Sequence, residues 1–228
     1  MRRSAESAME TAMTEQTAIP VTIPSVPHKG KFFILEPSFW GNGQSPGLSI
    51  ANEEKLLTPR MNTMDPPNGD ADQYAERPHL VHVPKLGGMP RDFEELAGIW
   101  IVSEALKQVF ESVDPAGFAF AACDFSLADG SPGPRYYLCE VVRSLDALNE
   151  EASRVKIKYE RDHQTGEDLK FFSIRGGASL VFEPGIVGDA HIFRQERLGA
   201  GPVCDRTMFD ALNDAHLSGV ELSDATQL

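Results

Sequence analysis

One repeated unit restricts this chain more than any other feature. Residues 99–122 read as an apolar strand, a capping residue, an amphipathic helix, a glycine and a second strand, and the final segment reads the same way. A shift of 102 residues, without a gap, superposes Val102 on Cys204, Ser103 on Asp205, Leu106 on Met208, Val109 on Ala211 and Phe110 on Leu212. It also superposes Val113 on Ala215, Gly117 on Gly219, Phe118 on Val220 and Phe120 on Leu222. Ser103 and Asp205 stand where a side-chain oxygen caps a first turn. Leu106, Val109, Phe110 and Val113 then recur at helical spacing and give one apolar face. Any two capped amphipathic helices followed by glycine share part of this pattern, so duplication and coincidence are both open. Either way the expected class is α+β, an antiparallel or mixed sheet with two similar capped helices packed on it. Sixteen prolines and nineteen glycines imply many turns and argue against a helical bundle.

The rest of the chain reads mostly as strands. Expected strands are Lys31–Glu36, a short one near Lys55–Thr58, His79–Val83 as a proline-bounded edge strand, Arg135–Val142, Val155–Glu160, Leu169–Ile174, Ser179–Phe182 and Ala190–Gln195. Arg91–Ala97 reads as a short helix. Residues 1–28 read as a flexible leader, and residues 29–228 as one α+β domain.

Charge narrows the function classes. With 21 Lys plus Arg against 34 Asp plus Glu, the formal net charge is −13. Such a field repels phosphate backbones, so no nucleic-acid partner is expected; it attracts a basic protein. Cys123, Cys139 and Cys204 are widely spaced and form no CxxC pair, which fits a reducing compartment. No apolar stretch is long enough to span a bilayer, and the N-terminal segment lacks the apolar core of a signal peptide. The expected location is the cytoplasm, with no membrane partner.

A search for chemistry finds little. There is no GxxxxGK[ST], no GxGxxG between strand and helix, and no GxSxG. His79 and His82 fall on opposite faces of a strand, and His163 and His191 have no Cys or carboxylate at ligand spacing, so no metal is expected. Cys204, before a helix N-terminus, is the better of two weak nucleophile candidates beside Cys123, but both read as core. No catalytic residue and no cofactor are assigned. A binding protein is expected, with the oligomeric state open.

The second half resembles a known family. IVSEALKQVFESVDPAGFAFAACDF, YYLCEVVRSLDALNEEAS and HIFRQERLGAGPVCDRTMFDALNDAHLSGVEL are similar to the immunity proteins of bacterial polymorphic toxin systems, in the family numbered eleven of that series, a myxobacterial type. The matching positions are Val102, Ser103 and Leu106; Tyr137 and Leu138; Asp146, Ala147, Leu148 and Ser153; Ile192, Phe193 and Arg194; and Asp205, Ala211, Leu212 and Gly219. The resemblance covers roughly residues 95–222; Cys204 and Asn149 depart from it. It implies a cognate toxin or effector as partner, delivered by a contact-dependent or type VI apparatus and neutralised by occlusion of its active site. An adaptor or chaperone loading an effector for secretion is the alternative.

Two acidic regions are candidates for partner binding. One is the loop with Asp65, Asp70, Asp72 and Tyr74; the other spans residues 91–150, where acids outnumber bases eleven to four and where Asp124, Asp129, Asp146 and Glu150 lie in loops or at element ends, with Glu151 adjoining. Trp40, in a glycine-rich loop, is a candidate interface aromatic, whereas Trp100 between Ile99 and Ile101 is expected in the core.

Overall fold

The sequence repeat is a structural repeat. The computed structural model of the chain describes residues 30–39, 45–56, 74–96, 98–161 and 166–228. The leader, the Trp40 loop, Asp65, Asp70, Asp72 and His163 lie outside the described residues. In chain order the elements are β1 (Phe32–Pro37), β2 (Leu48–Ile50), α1 (Glu53–Leu56), β3 (His79–His82), β4 (Phe93–Leu96), β5 (Ile99–Ser103) and α2 (Glu104–Val113). There follow β6 (Phe118–Ala122), β7 (Asp124–Ser126), β8 (Tyr136–Val141), β9 (Ser144–Leu145), β10 (Lys156–Arg161) and β11 (Asp168–Ser173). The last are α3 (Pro184–Val187), β12 (Ile192–Gln195), β13 (Val203–Asp205), α4 (Arg206–Ala215) and β14 (Val220–Asp224). The class is α+β, and among the described residues the strands divide among four sheets.

Both long helices begin as expected. Ser103 Oγ accepts from Leu106 N, and Asp205 Oδ1 accepts from Met208 N, so the same orphan donor of each first turn is satisfied. Each helix buries its apolar stripe: Leu106 and Phe110 in α2, Met208 and Leu212 in α4. Each packs on its own sheet, α2 on β5 and β8, α4 on β13 and β1, and the two helices touch.

The halves share a topology but not a chain order. In one sheet the order is β4-β5-β8-β6; in the other it is β12-β13-β1-β14, with β9 added beyond β12. In each, an antiparallel strand separates the two strands joined by the helix. The registers agree pair for pair. Phe118↔Val141, Phe120↔Cys139 and Ala122↔Tyr137 correspond to Val220↔Pro37, Leu222↔Leu35 and Asp224↔Phe33. The central strand of the first half, β8, follows its helix in sequence; that of the second half, β1, comes from the start of the described chain. A gapless alignment cannot reveal such a permutation.

Alternation distributes the strand side chains between layers. Trp100 and Val102 of β5, Phe33 and Leu35 of β1, Cys204 and Ile192 join both helices in one shared core. Ile99, Ile101, Tyr136 and Leu138 face the other way, onto Leu48, Leu80 and Phe125 of the β2-β3-β7 sheet. On the opposite side Ile34, Val203 and Phe193 are covered by Leu148, Leu180, Phe182 and Val187. Trp100 is buried, as expected.

Four local expectations are corrected. Phe93–Leu96 is a strand, because its pairing with Ile99–Val102 and the burial of Phe93 outweigh the helix propensity of Glu and Leu. β3 is central, between β2 and the parallel β7, and not an edge. Lys55 and Leu56 belong to a helical turn that seats Leu56 in the core. Ser179–Phe182 makes single bridges to Arg154 and Leu148 but no strand.

Candidate functional site

Many of the acids are spent inside the fold. Asp92 Oδ1 accepts from Ser103 Oγ at 2.8 Å, and its Oδ2 accepts from Ser218 N and Oγ at 2.9 and 2.6 Å. Burial works against this carboxylate, but these hydrogen bonds outweigh it and hold the group below the ordinary aspartate range. Ser218 follows α4, so Asp92 ties the end of one helix to the cap of the other. The matching contact in the second half runs from Asp114, at the end of α2, to the backbone amide of His191 at 2.9 Å. His191 Nδ1 in turn lies 2.9 Å from Asp205 Oδ2, at the cap of α4. The sequence hid this pair, because fourteen residues separate the partners and only the β12-β13 hairpin brings them together. Glu94, 1% exposed, is matched by Arg91 through Nε and Nη2 at 3.0 and 2.9 Å. Glu104 accepts from Tyr137 Oη. Acidity between residues 91 and 150 is therefore substantially structural.

The thiols are not poised for attack. Cys204 and Cys139 are buried, and burial pushes both thiols well up; Cys123 is pushed up to about 12, again chiefly by burial. Among the described residues no three His, Cys, Asp or Glu side chains converge as a metal site, and no helix is long and apolar enough to cross a membrane.

The expected partner-binding residues fall on different layers. Tyr74 packs against the core beneath β2-β3-β7. Asp124 lies in the same layer and pairs with Arg77 at 3.1 Å. Asp129 turns back to accept from Ser131 N and Oγ. Asp146, Glu150 and Glu151 lie on the far side of the molecule, over the core built on β12 and β13. Asp146 pairs with Arg197 at 2.5 Å, Glu150 pairs with Lys170, and Glu151 is exposed.

That second group borders a surface the sequence reading missed. β10 and β11 form a two-stranded ribbon whose base is fixed by Phe172, 2% exposed. Phe172 N donates to Arg197 O, and Gly199 N donates to Phe172 O. Further out the ribbon leaves the core, and all six residues of β10 are exposed. Ile157 and Tyr159 share one face with their cross-strand partners Phe172 and Lys170. Tyr159 is 67% exposed, and Lys170 reaches from beside it to Glu150. Leu169 is also exposed on β11. Ile157 and Tyr159 together on one face, bordered by charge, have the composition of an interface, an apolar centre within a polar rim, while Leu169, paired with Glu160, lies on the other face. The available signal was the alternation of KIKYER, whose apolar members have no core to enter.

The model of the Imm11 immunity protein family matches residues 31–227. The chain belongs to that family. The match starts immediately before β1, the strand that completes the second sheet, and so takes in both halves of the repeat. No curated protein matches the chain significantly.

Proposed function

We propose that this chain binds a cognate toxin and neutralises it by covering the toxin's active site. The family match across residues 31–227 is the observation that carries the reading. The toxin is one delivered by a rival cell, through a contact-dependent or type VI apparatus, and the encounter takes place in the cytoplasm. A net charge of −13 favours a basic toxin and speeds its approach. The contact face we assign is the β10–β11 ribbon with its neighbours Asp146, Glu150 and Glu151. Tyr159 and Ile157 supply the desolvated anchors, and the acids supply the rim. Asp124 and Asp129, in the layer of β7 and the turn that follows it, are the other candidate contact acids. The protein acts by stoichiometric binding, with no chemistry of its own.

Co-expression with the toxin domain encoded beside it tests the proposal. The expected result is that growth is rescued and that the purified toxin domain loses activity at a one-to-one ratio. A complex that forms while the toxin keeps its activity would instead favour an adaptor. No complex and no rescue would reject the reading.

A further inference from the structure

We infer that the outer edge of β10 is a docking strand, which takes an extended acidic segment of the toxin as a third strand of the ribbon. The inference rests on the toxin-binding reading above and specifies its contact.

The first support is geometric. β10 pairs with β11 over all six of its residues, from Lys156↔Ser173 to Arg161↔Asp168. Among the described residues no backbone hydrogen bond reaches its other edge. The second edge of the ribbon is treated differently, since Phe172 of β11 bridges to Leu198. An open strand edge offers unpaired N–H and C=O groups as a template for another chain, and proteins ordinarily shorten or cover it. β2, β4 and β9 follow that rule, with three, four and two residues. β10 is longer than these, fully exposed, and held firmly at its base.

The second support is chemical. Lys156, Lys158 and Arg161 stand against the single acid Glu160, so this strand is cationic in a chain of net charge −13. Two copies of β10 edge to edge would bring together two strands of net positive charge, which disfavours self-pairing. A strand that alternates acidic and apolar residues satisfies both faces. Its acids meet Lys156 and Lys158, and its apolar residues meet Ile157 and Tyr159. The overall field draws in a basic protein, while the locally inverted sign selects the acidic strand upon it and sets the register.

The experiment uses the intact chain and the toxin domain encoded beside it. Affinity is measured for the wild type, the double variant Lys156→Glu/Lys158→Glu and the control Lys85→Glu, an exposed charge reversal away from the ribbon. Hydrogen–deuterium exchange is followed with and without toxin. The expected result is slowed exchange at residues 156–161 in the complex, and a loss of about tenfold or more in affinity for the double variant but not the control. If wild type and double variant bind alike, with exchange at residues 156–161 unchanged, the docking strand is overturned and toxin binding stands. If the free chain is a dimer with residues 156–161 already protected, the occupant is a second copy and the inference is overturned. If the wild type does not bind at all, the toxin-binding reading falls, and the inference falls with it.

Discussion

Arg143 holds Asp114 through two nitrogens, at 2.5 and 3.0 Å, and the same Nη1 donates to Ile192 O at 2.8 Å. One guanidinium thereby joins the end of α2 to the first residue of β12, across the boundary between the two halves. Asp114 is 6% exposed, so removal of its partner leaves a buried carboxylate without a counter-charge. Arg143→Ala should cost about 3 kcal/mol or more, read as a lowered midpoint in urea. Arg143→Lys should recover only part of this, because an ammonium cannot make the forked contact.

Acid should loosen the same boundary. Burial opposes the charged forms of Asp92 and Asp114, but hydrogen bonds from Ser218 and Ser103 to the first, and from Arg143 and His191 to the second, leave both held below the ordinary aspartate range. A depressed folded-state value means the stabilisation is complete above the unfolded value of about 4 and is lost as pH falls through the folded one. Asp92→Asn/Asp114→Asn should lower stability at neutral pH and flatten its fall below about pH 4. Thermal melts across that range are the check.

The two glycines that lead from the repeated helices into β6 and β14 should differ under substitution. A Cβ on Gly219 would lie 2.3 Å from Phe93 O, at a φ of +86°. A Cβ on Gly117 would meet the Ile192 Cγ2 methyl at 2.4 Å, a side-chain atom that can shift. Gly219→Ala should cost about 2 kcal/mol or more, since it combines left-handed strain with a backbone clash. Gly117→Ala should cost less, and equilibrium unfolding of both variants gives the order.

Thiol chemistry provides a separate check on the role of Cys204. The residue is fully buried, and its thiol is shifted away from ionisation. In the native protein at neutral pH an alkylating reagent should leave it unmodified until denaturant is added. Cys204→Ala should retain toxin neutralisation in a growth-rescue assay and lose only packing stability.

Tyr159 is the residue on which the proposed contact depends most. Its ring is largely exposed and touches no core, so Tyr159→Ala should leave the melting temperature within about 2 °C of the wild type. Toxin affinity should fall by about tenfold or more, as for a central aromatic of an interface. Calorimetry of binding and of unfolding on the same variant separates the two effects.

Local signals were legible in proportion to how little they needed a partner. Caps are read within four residues, so Ser103 and Asp205 announced both long helices, and a period of 3.6 placed Leu106 and Phe110 on the buried face. Phe93–Leu96 failed for the opposite reason. Its four residues show no decisive period, and strand pairing with β5 settles them. Glu94 belongs to a residue type that ordinarily faces water, yet it is buried, with Arg91 beside it as the counter-charge.

The candidate surface divides in the same way. Acid content was visible in the chain, but which acids are free was not. Asp92, Asp114 and Glu94 are taken by serine, arginine and backbone groups, one of them, Ser218, 126 residues away. The family resemblance and the paired helices follow from short runs of residues whose chemistry acts locally. The permuted central strand, the antiparallel lock between the helix ends and the open edge of β10 depend on which distant segments pair. Hydrogen bonding between strands is indifferent to sequence separation, so those features came into view only when the chain was folded.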